Sequence, residues 1–359
     1  MKIQLKQRIN AFAQLGEFLN RIALEDSVNQ IEINRDKKTN NRFLDRIETV
    51  LNTSETQNGW FTKKNIKTAL KSWAEALSEE NLLQWTSNYA IENTEPKTIG
   101  IVMAGNIPLV GFHDFLSVLI TGNKVLGKLS SNDKVLIPFL SEYLISIEPE
   151  FQDMIEFTEG RLENFDAVIA TGSDNTSRYF DYYFGKYPNI IRKNRNSVAV
   201  LTGDESSGDF ERLADDIFQF FGLGCRNVSK LYVPENYDFT KFFEGIYAWN
   251  EIIHNNKYIN NYDYNKTVYL MDSLSLLDNG FLILKEDQGF SSPISVVFYE
   301  KYTSLRALEK ELEKQSENIQ CVVSKTALND QVAFGQTQSP QLWEYADGVD
   351  TVDFLLKLH

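Results

Sequence analysis

The sequence predicts an α/β protein built as two lobes preceded by a helical N-terminal segment. Apolar residues recur at helical spacing through residues 1–95. Beyond Glu95-Pro96, short apolar runs alternate with amphipathic stretches of helical length, the pattern of βαβ units on parallel sheets. The chain has 359 residues, enough for two cores, with 42% hydrophobic and 24% charged residues as in ordinary globular proteins.

In the N-terminal segment, INAFAQLGEFLNRIAL and IKTALKSWAEALSEENLLQWT repeat apolar positions every three or four residues, and a polar stretch at 36–41 joins the helical pieces. A nucleotide-binding lobe is expected over 96–204. Its strands are TIGIVMA, NKVLGKLS, DMIEFTE, DAVIATGS and SVAVLTGD, and its helices are PLVGFHDFLSVLIT, DKVLIPFLSEYLISI and NTSRYFDYYFGKY. A break near 202–208 leads to a catalytic lobe with a C-terminal tail over 205–359. It opens with the helix FERLADDIFQFFGLG and the strand KLYVPE, followed by the helix FTKFFEGIYAWNEII. Strands around YLMDS, GFLILKED and SPISVVFYE, the helix LRALEKELEKQ and the strand IQCVVS complete it.

The formal charge of −14 argues against nucleic acid or an anionic membrane as partner, since both are held by Lys and Arg. The first residues lack the apolar core of a signal peptide, and no run reaches the roughly 20 apolar residues that span a bilayer. Neither secretion nor membrane insertion is expected. Two cysteines cannot frame a disulfide scaffold, and a reducing cytoplasm is the expected compartment. With His113, His254 and His359 scattered, no metal site is expected.

Cys225 stands in FGLGCRNVSKLYVP, between an amphipathic helix and a strand. A thiol attacks only as thiolate and needs an accessible, electropositive setting. Gly222 and Gly224 allow close backbone approach, and Arg226 offers charge. The competing reading is a buried structural cysteine, the one assigned to Cys321 in NIQCVVS. Asn106, in VMAGNIPLVGF, falls at a strand-to-helix turn where its amide can donate to an oxyanion; otherwise it is a turn or capping residue before Pro108. Lys128 ends the next strand, within reach of a ribose or phosphate, or simply solvated. Thr171-Gly172-Ser173 follows a strand and opens a helix, a setting that favours a pyrophosphate but is common as a plain turn. The glycine fingerprints of dinucleotide and P-loop sites are absent, as is the nucleophile elbow of α/β hydrolases.

Taken in order, these fragments resemble the aldehyde dehydrogenase superfamily. The series runs Asn106-Ile107-Pro108, Thr121 to Lys128, Thr171-Gly172-Ser173, Gly222 to Arg226, and Glu286 to Pro293. Within the superfamily the sequence is most similar to LuxC-type acyl-CoA reductases, the reductase component of fatty-acid reductase. The tail FGQTQSPQLWEYADGVDTVDFL and the helical N-terminal segment carry that likeness.

The resemblance implies an aldehyde-dehydrogenase-like two-lobed fold, a Rossmann-like lobe beside an α/β catalytic lobe. It implies Cys225 as acyl-accepting nucleophile, with Asn106 and the Cys225 amide as oxyanion hole. Lys128 is expected on the adenosine ribose, Gly172 and Ser173 near the pyrophosphate, and Glu286 or Asp287 on the nicotinamide ribose. The segment Asn194-Arg195-Asn196-Ser197 lacks the glutamate that activates water in aldehyde-oxidising relatives, which favours thioester reduction. Where NAD-preferring relatives carry a glutamate after the lysine, this chain has Ser130 and Ser131, so NADPH is expected, with NADH as the alternative. The donor is an acyl-CoA or an acyl-carrying partner enzyme, and a homo-oligomer or a complex with an acyl-protein synthetase is the expected assembly. Two other activities fit the same fragments: an acyl-phosphate reductase or semialdehyde dehydrogenase, and a non-redox acyl carrier. The aromatic run RYFDYYFGKYP is a candidate lining for an acyl channel, core packing being the other reading.

Overall fold

The computed structural model describes residues 3–24, 38–91, 95–172, 174–326, 328 and 331–359. The chain forms two compact units, Met1–Lys193 with Gln341–His359, and Asn194–Pro340.

The first unit begins with helices α1 (Leu5–Leu24), α2 (Lys38–Gln57), α3 (Lys63–Ala76) and α4 (Glu79–Ser87). Thr62 and Ser78 cap α3 and α4 by accepting from the backbone N–H groups of Asn65 and Asn81. The sheet comprises β1 (Thr98–Val102), β2 (Lys124–Lys128), β3 (Ile155–Thr158), β4 (Ala167–Thr171) and β5 (Asn189–Arg192). These five are parallel, in the order β3-β2-β1-β4-β5. Helices α5 (Phe112–Ile120), α6 (Leu136–Ile147) and α7 (Asp174–Phe184) connect them. Because β1 pairs with β2 on one side and β4 on the other, the strand order reverses there. A crevice opens at such a switch, beyond the carboxyl ends of the strands.

The N-terminal helices share a core with this sheet rather than forming one of their own. Phe12, Leu15 and Trp85 belong to the same buried cluster as Phe115, Val118 and Ile169. Phe18 stacks on Tyr143 with ring centroids 4.0 Å apart.

The tail returns to this unit and ends in a helix, Thr351–Leu356. Trp85 Nε1 donates to Tyr345 Oη at 2.7 Å, and Arg192 donates to Asp114 Oδ2 at 2.5 Å and to Thr351 Oγ1 at 3.0 Å. The expectation of one lobe over 205–359 is thereby corrected. Long-range hydrogen bonds and the buried Val352 and Leu355 place the tail with the first unit.

The second unit has seven strands: β6 (Asn196–Val200), β7 (Val228–Pro234), β8 (Leu276–Asp278), β9 (Ile283–Glu286), β10 (Val296–Tyr302), β11 (Ile319–Ser324) and β12 (Gln331–Val332). Their order is β12-β11-β6-β7-β10-β9-β8, and all adjacent pairs are parallel except β8–β9. Helices α8 (Ser207–Phe218), α9 (Thr240–Gly245), α10 (Asn256–Met271) and α11 (Leu305–Lys314) complete it. A reciprocal Ser206–Asp209 capping box starts α8.

Two sequence expectations change here. SVAVLTGD, read as the last strand of the nucleotide lobe, is β6 and lies inside the second sheet between β7 and β11, so the boundary falls at 193/194. YLMDS, read as a strand, is the end of α10 and its cap. Its Leu270 and Met271 are exposed, so an apolar run at the surface imitated a buried strand.

Candidate active site

The turn carrying Cys225 is built by an abrupt end to α8. The sequence suggests a helix running on to Gly224, but helical geometry stops at Phe218. Phe220 (φ 54°), Phe221 (φ 59°) and Gly222 (φ 74°) are consecutive left-handed residues. That conformation costs a side-chain-bearing residue about 1–2 kcal/mol, so the turn needs compensation. Burial of both phenylalanine rings supplies part of it.

Asn227, a buried residue that sequence reasoning passed over, supplies more. Its Oδ1 accepts from the Gly224 N–H at 2.8 Å, and its Nδ2 donates to the carbonyls of Asp216 (3.0 Å) and Gln219 (2.9 Å). One side chain thus caps the end of α8 and closes the cysteine turn. Ser197 Oγ donates to the Cys225 carbonyl at 3.0 Å. The backbone of Cys225 is pinned while its side chain is exposed. Cys321 is buried on β11, as expected. The Arg226 guanidinium, read as charge for Cys225, donates to Cys321 Sγ at 3.4 Å and is tied to the core sulfur.

Glu286 ends β9 with its carboxylate exposed, accepting from Lys301 Nζ (3.2 Å) and Tyr299 Oη (3.3 Å). Its neighbour Asp287 is consumed by the loop, accepting from Lys285 Nζ at 2.5 Å and the Gly289 N–H at 2.8 Å. The Lys285 ammonium holds the Asp287 carboxyl below the usual carboxylate range. Of the two carboxylates the sequence left open, Glu286 is the one turned to solvent.

In the first unit, the chain beyond the carboxyl ends of β1, β2 and β4 carries Asn106, Lys128, Ser131 and Gly172, so the switch in strand order gathers four sequence-predicted residues. Asn106 is exposed in the loop after β1, and α5 opens only at Phe112, so Asn106 and Pro108 do not start a helix. Gly105 lets that loop cross the Ser130 turn: a Cβ there would lie 2.4 Å from Ser130 Oγ. Half-buried Lys128 closes β2, and Ser131 is exposed in a turn closed by the Ser130–Asp133 bridge. Asp133 Oδ1 accepts from the Val135 and Leu136 N–H groups, and its burial raises its pKa. A Cβ on Gly172 would meet Phe180 at 2.8 Å and Thr176 at 3.0 Å, so glycine permits α7 to start hard against the strand end. Ser173 lies outside the described residues. In the aromatic run, Tyr179, Tyr182 and Tyr183 are exposed and do not form core.

Solved structures with this architecture include aldehyde dehydrogenases. Aldehyde dehydrogenase 21 from Physcomitrella patens, in complex with the reaction product succinate, is 13% identical, with 99% of this chain and 89% of that one covered and a TM-score of 0.64. KauB from Pseudomonas aeruginosa is 12% identical over 90% of this chain and 76% of that one, with a TM-score of 0.60. An indole-3-acetaldehyde dehydrogenase in complex with NAD+ gives 12% identity, the same coverages and a TM-score of 0.60. The fold is that of the aldehyde dehydrogenases, with a Rossmann-like parallel sheet in the first unit and a smaller α/β unit, built on a seven-stranded sheet, carrying the cysteine.

No curated protein matches the sequence. The family model described as Acyl-CoA reductase (LuxC) matches residues 19–244, more than half of the chain. The chain belongs to the LuxC acyl-CoA reductase family, which places it among oxidoreductases acting on acyl-CoA and aldehydes. The matched span includes Asn106, Lys128, Ser131, Gly172, Ser173 and Cys225, and ends before Glu286. Among the described residues, no helix is long and apolar enough to cross a membrane.

Proposed function

We propose that this protein reduces a long-chain fatty acyl thioester to the aldehyde with NADPH, through an acyl group held on Cys225. The observation that carries the proposal is an exposed cysteine on a pinned backbone turn, within the span that matches the acyl-CoA reductase family.

The cofactor reading is supported by the 3-2-1-4-5 strand order and by the close approach at Gly172, both features of dinucleotide-binding sheets. Lys128 would hold the adenosine ribose, Gly172 with Ser173 the pyrophosphate, and Glu286 the nicotinamide ribose. The exposed turn carries Ser131 in the stretch after Lys128 where NAD-preferring relatives place a glutamate, which supports a 2′-phosphate there. When bound, the dihydronicotinamide supplies a hydride equivalent to the acyl carbon.

The steps belonging to the chain follow from its residues. Cys225 Sγ, as thiolate, attacks the thioester carbonyl while the amide of Asn106 and the Cys225 N–H stabilise the oxyanion. The C–S bond to CoA, or to an acyl-carrying partner enzyme, breaks, and the thiolate leaves with a proton from solvent. After reduction, the thiohemiacetal on Cys225 collapses to aldehyde, which restores the thiolate. Ser197, from the segment lacking the glutamate of aldehyde-oxidising relatives, bonds to the Cys225 carbonyl, so a hydroxyl borders the nucleophile's turn. Water is left unactivated and the acyl enzyme survives until it is reduced.

Spectrophotometric oxidation of NADPH and NADH against acyl-CoAs of graded length tests the reading. Turnover with long-chain donors, lost in Cys225→Ser together with covalent labelling, is the expected result. A variant that still labels and turns over overturns it.

A further inference from the structure

Lys230 on β7 has 0% exposure, a setting that lysine almost never occupies unless paired. Its Nζ donates to the Gln288 carbonyl at 2.8 Å and to Glu300 Oε2 at 2.6 Å, and lies 4.8 Å and 4.9 Å from the ring centroids of Tyr232 and Phe290. The adjacent Ser229 Oγ donates to the Phe290 carbonyl at 2.7 Å. Two successive side chains of one strand therefore hold alternate carbonyls of the loop that follows Glu286. The same strand is entered through the Cys225 turn, so one element sets both the nucleophile and this loop. An apolar residue of similar volume would fill the site without the cost of desolvating an ammonium. What the charge adds is a fixed position for the loop backbone.

We propose that Lys230 is a positioning residue for cofactor engagement: by anchoring the loop at Gln288 it presents Glu286 to the nicotinamide ribose. It touches neither the acyl group nor the cofactor. The inference rests on the cofactor role given above to Glu286.

The test compares the full-length parent protein with Lys230→Met and Ser229→Ala, the second removing the milder tie in case the first fails to fold. NADPH affinity is read from the fluorescence of the bound dihydronicotinamide. Acylation is read as single-turnover labelling of Cys225 by palmitoyl-CoA without nucleotide, and loop order as hydrogen exchange over 287–293. Lys230→Met is expected to bind NADPH about tenfold more weakly, a loss near 1.4 kcal/mol. Its acylation stays within about twofold of the parent, and exchange in the loop rises. Ser229→Ala shows the same split on a smaller scale. In the Lys230→Met background, Glu286→Gln adds no further loss, because the two act through one contact. Equal losses of acylation and NADPH binding in the folded variants overturn the proposal, as does unchanged NADPH binding in them. A parent that is not acylated, yet binds NADPH in a Lys230-dependent way, defeats the reductase reading and upholds this one. A parent that reduces palmitoyl-CoA but whose NADPH affinity ignores both substitutions defeats this one alone.

Discussion

The nucleotide-side candidates of the first unit and the cysteine of the second lie at opposite ends of their strands. In the first, Lys128 closes a parallel strand and Asn106, Ser131 and Gly172 follow the carboxyl ends of such strands, with Asn106 and Ser131 exposed. In the second, Cys225 precedes the amino end of β7, on a turn of consecutive left-handed residues clamped by Asn227 and Ser197. On the roles proposed above, the difference teaches what each task demands. A nucleotide wraps along backbone, so its loops need room and close approach. A nucleophile must meet a carbonyl at bonding distance, so its backbone is over-determined and strain is tolerated.

That contrast is sharpened first by removing the sulfur. Cys225→Ser is expected to bring acyl labelling and reduction to background while NADPH fluorescence binding persists; binding lost in parallel would break the division of labour. Asn106→Ala should lower kcat by ~10²–10³, the usual effect of losing one oxyanion donor, with little change in cofactor affinity. Asn227→Ala leaves several buried backbone groups without partners and should cost about 2–3 kcal/mol in urea unfolding. Turnover should fall as the cysteine turn loosens; unchanged stability would show that the turn does not depend on this clamp. Gly172→Ala forces a methyl against Phe180 and Thr176 and should weaken NADPH binding about tenfold while acylation proceeds normally.

The smallest effect concerns pH. Burial pushes the Asp216 carboxyl up to about 6, against the pull of its hydrogen bonds from Gly335 and Thr337. A carboxyl raised in the folded state contributes most below its unfolded value, and that contribution is lost as pH rises through about 6. Stability from this group should fall by on the order of 1–3 kcal/mol between pH 4 and 7, and Asp216→Asn should flatten that part of the profile. A profile identical in the variant would remove Asp216 from the account.

The alternation of strands and helices was legible from its hydrophobic pattern, and Cys225, Asn106, Lys128 and Gly172 stood out as candidates because each is marked by local chemistry: glycine, proline or a polar residue at a strand end. β5 and β8 were not, since strands of four and three residues carry too short a pattern. Asn227 and Lys230 were hidden for a different reason. Each reads as an ordinary polar residue on a strand or turn, and only the pairing of distant backbone reveals its burial. The place of the tail was equally invisible, because Tyr345 and Thr351 find partners 260 and 159 positions earlier in the chain.

That return of the tail bears on biosynthesis. Residues 194–340 form a complete unit between the two pieces of the other, so the inserted unit can close while its host still lacks Tyr345, Val352 and Leu355. At about 5–20 residues per second, the ribosome leaves the host's core without these last buried residues for several seconds or longer. Chaperone dependence should therefore concentrate on the half made first.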